Sequence, residues 1–385
     1  MMITMTFDGV AIAGAAEIPY ARKAQGITTT SLLASVFVNV LATAEIAHNE
    51  VDGIAVSSFT LKPDHAIDVA WQLGISPRWS MEDTHGGACG INMLQHAARA
   101  IQVGDANVIV ILAGDHFQPS DFKDLVENYN RTTRDYLTPL QFGGPNALFA
   151  LLTRHHMKVH GLDRSDYGLL CIAQREWARR NPLAVYRSEL TLDEYLCAPV
   201  VADPLCRYDC VPVVSGANAL VLTRGDRTPG KAVGIRALRC LYNPDHQEGD
   251  GLQTGLKSIS ERLWQDAGVG PAGIDLVSVY DDYPVMVLVQ LADLGFIPDG
   301  DMRGFIRNRL VPRTLPVNTS GGQLSVGQAG TAGGLHGLVE AVLQLRGEAG
   351  ERQIAQARFA AVSGYGMVQY RYGMCANAVL LEGSH

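Results

Sequence analysis

Strand-like and helical segments alternate along this chain, and the alternation runs through the same order twice. Residues 10–15 form a short apolar run, 32–47 a helical stretch, and 51–56 a strand entered through Asp52 and Gly53. Residues 91–103 carry apolar side chains at helical spacing, and 108–113 (VIVILA) form an unbroken apolar run rich in β-branched residues. Such a run suits a strand covered on both faces by crossover helices. The order then restarts: 233–240 is strand-like, 252–267 helical, and GIDLVSV (273–279) echoes EVDGIAV (50–56). In each copy a glycine-rich turn leads into a helix, 86–103 and 327–345, and then a strand, 108–113 and 358–362. Two copies offset by about 220–250 residues point to a duplicated unit too long for a solenoid repeat. The expected class is α/β, with one half over 1–228 and the other over 229–385.

Residues 115–202 break this rhythm and read as an insert in the first half. The insert holds Arg131, Arg134, Arg154, Arg164, Arg175, Arg179, Arg180 and Arg187, with adjacent His155 and His156. Inserted loops on a rigid scaffold commonly carry substrate contacts. A phosphate-binding role and a solvated helical face are equal readings of residues 175–180.

Composition narrows the function classes. A chain of 385 residues that is 47% hydrophobic buries too much to be disordered. A formal net charge of −8 argues against a nucleic-acid coat, whose footprint is basic. No run of apolar residues is long enough for a membrane span. Residues 1–16 include Asp8 and lack a basic segment before an apolar core, so the expected location is cytoplasmic. The seven cysteines are scattered, which suits reduced thiols. Cys206 and Cys210 form a C-x3-C pair without a second pair nearby, so free thiols are expected and no metal site.

Three glycine-rich stretches hold the candidate chemistry: THGGACGINM (84–93), NTSGGQLSVGQAGTAGG (318–334) and SGYGM (363–367), the last read as a turn after a strand. Small residues let backbone approach a ligand, and a helix start favours negative charge. Cys89 at such a start is expected to have a lowered thiol pKa.

With VYDDYP (279–284), QLADLGF (290–296), NTSGGQLS (318–325) and EAVLQLRGE (340–348), the chain resembles the thiolase superfamily over nearly its whole length. Within it, the chain is most similar to the non-standard branch of sterol-carrier-protein-type thiolases and steroid side-chain aldolases. The resemblance implies a five-layered α/β/α/β/α fold and an active site at the facing ends of two central helices. It implies acyl-CoA substrates, coenzyme A as substrate or product, and no tightly bound cofactor. It also implies a homodimer and a small zinc-ribbon and OB-fold partner subunit, while charge and apolar-run length leave no nucleic-acid or membrane partner expected.

The standard catalytic side chains of the family are replaced. Matching the glycine of its C-x-S-G turn to Gly90 puts Gly87 at the nucleophile position, with Cys89 two residues later. Gly327, Gln328 and Ala329 stand where standard members have G-H-P, and Ser363 stands for the second cysteine. Tyr280 resembles the aldolases' proton-transfer tyrosine, while their second tyrosine is matched here by Gln328. The expected site is therefore Cys89, Tyr280, His336 and His85 as catalytic groups. Backbone N–H groups of Gly87, Gly364 and Gly366 are expected to form the oxyanion hole, with Gln328 and Asn318 in the active-site turn. Asp281 and Asp282 read as strand-end acids facing water, slightly ahead of a catalytic pair. The first reading is thiolytic cleavage of a β-ketoacyl-CoA, an acyl transfer. The second is retro-aldol cleavage of a β-hydroxyacyl-CoA, and the third a non-catalytic acyl-CoA scaffold.

Overall fold

The computed structural model of the chain describes residues 7–22, 26–117, 119–140, 144–225, 227, 232–244, 249–369 and 372–384. The first copy of the repeated order is β1 (Val10–Glu17), α1 (Thr29–Ala44), β2 (Gly53–Ser57), α2 (Ala66–Leu73), β3 (Trp79–Glu82), α3 (Cys89–Val103) and β4 (Val108–Asp115). The insert follows as α4 (Pro119–Glu127), α5 (Gly144–His160), α6 (Arg164–Ala178), α7 (Leu192–Leu196) and the hairpin β5 (Val200–Ala202) and β6 (Leu205–Cys206). Strand β7 (Gly216–Arg224) then returns to the sheet. The second copy is β8 (Val233–Tyr242), α8 (Leu256–Ala267), β9 (Leu276–Val279), α9 (Pro284–Asp293), α10 (Met302–Phe305), α11 (Gly322–Val326), α12 (Ala332–Leu345), β10 (Phe359–Gln369) and β11 (Tyr372–Gly383). The boundary expected between 228 and 229 lies outside the described residues.

Among the described residues the strands run β3-β2-β4-β7-β1-β8-β11-β10-β9 across one sheet. From the antiparallel β1–β8 seam outward, β1, β7, β4 and β2 match β8, β11, β10 and β9 in order. Beyond β9, Val317 makes a parallel bridge to Val277, in the place that β3 holds beside β2.

Burial explains why VIVILA is apolar throughout. Val108, Val110 and Leu112 face α1 and α2 with Leu33, Val36 and Phe37, while Ile109, Ile111 and Ala113 face α3 and α12. The central helices also cover Leu276, Val362 and Val379 of the second half. On its other face that half is closed by α8, α9 and the insert, through Leu263, Val285 and Leu288 against Val277 and Leu380. The two halves of the one hydrogen-bonded sheet thus enclose the central helices, giving five layers: helix, half-sheet, helix, half-sheet, helix. No described helix is long and apolar enough to cross a membrane.

The stretch 363–367 is not a turn. It stays within β10, where Gly364 pairs with Asn377 and Gly366 with Cys375 on β11. The missing side chains admit the turn before α3 onto the strand face. A Cβ on Gly364 would lie 2.6 Å from the Gly87 carbonyl oxygen, and one on Gly366 would overlap that of His85. The two central helices meet as closely: a Cβ on Gly90 would overlap the Gly334 carbonyl oxygen.

Asp115 joins the halves at this level. Its Oδ1 accepts from the Ser58 hydroxyl (2.8 Å), the Phe59 N–H (2.7 Å), and the N–H and hydroxyl of Thr60 (both 2.8 Å). Its Oδ2 accepts from the N–H of Thr331 (2.8 Å), just before α12, and the Thr331 hydroxyl donates to the Ser57 carbonyl (2.7 Å). Burial pushes its pKa up, and these donors pull it back. Two outcomes are expected in urea unfolding. Gly90→Ala, which forces backbone apart, should lose about 1–3 kcal/mol or more. Asp115→Asn should lose about 1–3 kcal/mol, because its amide turns one N–H toward donors that now find no acceptor. Wild-type midpoints for both variants would contradict the clasp described here.

Candidate active site

A cavity of about 270 Å3 opens between the glycine turns of the two halves. Its polar end is made by Gly86 and Gly87 before α3, Tyr280 and Asp282 after β9, and Gln328 and Gly330 before α12. Its walls are mainly apolar. Phe117, Phe122, Leu125, Val126 and Tyr129 come from the end of β4 and the α4 region, and Phe149 from α5. Val211, Val213, Tyr283 and Val368 complete them. The insert therefore supplies much of the lining, as expected of a substrate-contacting loop region.

Of the residues expected from sequence, Gly87, Tyr280 and Gln328 meet at this cavity. Tyr280 is held from two sides. Gln328 donates from Nε2 to its hydroxyl at 2.8 Å, and its ring meets that of Tyr365 edge-on at 5.3 Å. Gln328 is itself fixed through its backbone, which donates to the Pro212 carbonyl (2.9 Å) and accepts from Val214 (3.2 Å). The Tyr280 hydroxyl oxygen accepts from Gln328, so its own hydrogen is free to be donated. Burial raises its pKa well above that of free tyrosine, which keeps it a neutral donor. The Gly87 N–H has no acceptor among the described residues. A Cβ on Gly87 would overlap the hydroxyl edge of the Tyr280 ring and the Tyr365 carbonyl oxygen.

The structure does not bring the other expected residues to the cavity. Cys89 is fully buried between the central helices, and its thiol donates to the Thr331 carbonyl at 3.4 Å. Its pKa rises well above that of a free thiol instead of falling, because burial outweighs the helix start. His336 is buried on the first turns of α12, with Nε2 2.8 Å from the Ser320 hydroxyl and Nδ1 3.7 Å from Glu17. Burial lowers its pKa to about 4. His85 turns away from the cavity to Asp83, whose Oδ2 lies 2.8 Å from its Nδ1 and raises its pKa. Asn318 lies behind the cavity and accepts from the Val279 N–H at 2.8 Å, bracing the strand that delivers Tyr280. Gly364 and Gly366 face the turn before α3, not the cavity.

Asp281 and Asp282 are a correction: neither is a strand-end acid facing water. Asp281 is buried, and its carboxylate accepts from Gln174 Nε2 (2.7 Å) and the N–H groups of Gln323 (2.9 Å) and Leu324 (3.4 Å). Asp282 lines the cavity and accepts from the Tyr365 hydroxyl. Burial pushes both acids up to about 7. Successive side chains here project in different directions, so one acid braces α11 and the other reaches the cavity.

Cys210 also lines the cavity, with burial raising its thiol to about 12, while Cys206 is fully buried. Among the described residues no cluster of His, Cys, Asp and Glu is arranged to hold a metal ion. The insert's arginines divide between roles. Arg131, Arg134 and Arg179 make exposed ion pairs with Asp135 or Glu176. Arg175 is buried, donates to the Ser325 hydroxyl at 3.1 Å and lies over the Tyr186 ring.

Residues 242–375 match the family model described as thiolase C-terminal domain-like. A 17-hydroxy-3-oxo-4-pregnene-20-carboxyl-CoA lyase of Mycobacterium tuberculosis is 31% identical over 349 residues, 84% of this chain and 88% of the lyase. A steroid side-chain-cleaving aldolase of Thermomonospora curvata is 26% identical, covering 88% of this chain and 90% of the aldolase. Among solved structures, the Ltp2-ChsH2(DUF35) aldolase superposes with a TM-score of 0.83 at 23% identity, over 98% of this chain and 99% of that one. A monomeric SCP2-thiolase-like protein of Mycobacterium smegmatis superposes with a TM-score of 0.74 at 17% identity, over 100% of this chain and 78% of that one. The duplicated layers, the glycine turns that meet at a shared cavity, and a relative matched along most of both chains identify this protein as a member of the thiolase superfamily, in its non-standard branch.

Proposed function

We propose that this protein cleaves a β-hydroxyacyl-CoA by a retro-aldol reaction, the second of the sequence-based readings. The observation that carries the proposal is the Tyr280 ring. It fills the space that a side chain at Gly87, the family's nucleophile position, would need. Thiolysis through an acyl-enzyme requires a nucleophile there, whereas retro-aldol cleavage requires a base and an oxyanion hole. The names of the lyase and the aldolase among the relatives support the same choice.

In this reading the Asp282 carboxylate takes the proton of the β-hydroxyl. The Cα–Cβ bond breaks, its electron pair passes to the thioester as an enolate, and a ketone or aldehyde forms. The Tyr280 O–H and the Gly87 N–H donate to the enolate oxygen as preorganised donors. The proton on Asp282 then returns to the α-carbon and yields the shortened acyl-CoA. An acid with a pKa of about 7 suits this exchange, because it is both charged and basic enough near neutrality. Cys89 and Cys210, both with raised pKa values, serve as packing and lining groups.

The same proposal includes coenzyme A leaving with the product, with no tightly bound cofactor, and a cytoplasmic location. It also includes a duplication with halves at 1–228 and 229–385, which the matched strand orders support. A homodimer and a small zinc-ribbon and OB-fold subunit are the proposed partners, the second supported by the DUF35 component named in the aldolase structure.

Product analysis separates the readings. A β-hydroxyacyl-CoA should give a carbonyl compound and a shortened acyl-CoA without added coenzyme A. Cleavage confined to β-ketoacyl-CoA and dependent on coenzyme A would support thiolysis, and no cleavage of either would support the scaffold. Tyr280→Phe and Asp282→Asn should each lower turnover roughly 10²-fold or more, while Cys89→Ala and Cys210→Ala should stay near wild type. Asp282 acts as a base only when charged, so kcat/KM should rise as pH increases through about 7. A flat profile in the wild type, or an unchanged rising limb in Asp282→Asn, would assign the base elsewhere.

A further inference from the structure

The acyl side of the cavity holds a polar group that the cleavage chemistry does not use. Tyr283 follows Asp282 at the start of α9, and its ring stacks on Phe149 at 4.3 Å with 19° between the planes. Its hydroxyl donates to Oδ1 of Asn146 at 2.7 Å. Asn146 sits on the first turn of α5, half-buried, and both residues line the cavity. With Oδ1 taking the phenol hydrogen, its Nδ2 is left with two N–H donors. That nitrogen has no protein partner among the described residues. It stands in a wall otherwise dominated by Phe117, Phe122, Phe149 and Val126.

We propose that Asn146 is a specificity-determining residue whose amide N–H donates to a keto or hydroxyl oxygen on the body of the acyl group, away from the thioester. The preferred substrate is then an oxygenated acyl chain or ring system rather than a plain hydrocarbon. The proposal rests on the reading that the acyl group occupies this cavity. A purely apolar acyl group would strip water from the amide and return nothing, and a wall built with a donor discriminates against ligands that lack the acceptor. Tyr283 acts through Asn146 as a positioning residue, its ring anchored by Phe149 so that the amide cannot turn over freely.

Equilibrium binding of thioesters without a β-hydroxyl tests this separately from catalysis, since such compounds cannot undergo retro-aldol cleavage. The probes are cyclohexylacetyl-CoA and its 3-oxo and 4-oxo ring analogues, titrated against the full-length protein. At least one oxo thioester is expected to bind roughly 10-fold or more tightly than the parent. Asn146→Asp keeps an acceptor for Tyr283 but has no donor, and Asn146→Leu has neither, so both should bind the oxo and parent thioesters alike. Urea midpoints near wild type for Asn146→Asp show that the lost preference is not lost folding. Equal affinities in the wild type, absence of measurable binding by either oxo thioester, or a preference that survives both substitutions would overturn the proposal. A preference that depends on Asn146 in a protein unable to cleave any β-hydroxyacyl-CoA would instead uphold the binding role and reject the reaction.

Discussion

Backbone lies against backbone where the halves of this protein meet, and the site depends on that contact. Gly87, Gly90, Gly334, Gly364 and Gly366 each lie where a single methyl group would strike a carbonyl or a neighbouring side chain. With nothing between them, the turn before α3, strand β10 and the start of α12 close to van der Waals distance. That closeness brings the Tyr280 ring over Gly87 and sets Gln328 within 2.8 Å of its hydroxyl. A side chain at Gly87 and the observed Tyr280 cannot coexist.

The buried acids around this clasp differ in how fully they are answered. Asp115 takes donors of the first half on Oδ1 and of the second half on Oδ2, and Asp281 is held by Gln174 and by two backbone N–H groups. These carboxylates hold loops in place. Asp282 takes the Tyr365 hydroxyl on one oxygen and faces the cavity. Burial raises the pKa of all three, so a raised pKa alone does not single out the acid that exchanges a proton with a ligand. Among these three, only Asp282 also lines the cavity.

Much of the fold was legible in the sequence because it follows from local rules. VIVILA is apolar on both faces because helices cover both faces, and the repeated order of runs maps onto the repeated order of strands. Tyr280, Gln328 and Gly87 were legible through the resemblance of their motifs to the thiolase superfamily. Cys89 was misleading: its place at a helix start suggests a reactive thiol, but the phase of α3 turns the side chain between the central helices. The glycines of 363–367 suggested a turn and instead keep a strand face clear for the neighbouring backbone. Asp282 was hidden by its pairing with Asp281, since only the end of β9 decides which acid faces inward. Asn146 lies in the insert, where no periodicity or motif marks it, and only its bond to Tyr283 reveals its orientation.

Cleavage without a covalent acyl-enzyme is the central claim, and the intact mass of the protein during turnover tests it most directly. Rapid acid quenching of the protein with a β-hydroxyacyl-CoA, and separately with a β-ketoacyl-CoA and coenzyme A, traps any thioester formed on the chain. The account predicts the unmodified mass at every time point while carbonyl product accumulates from the β-hydroxyacyl-CoA. A transient acyl adduct on Cys89 or Cys210 that forms and decays at the rate of turnover would contradict it.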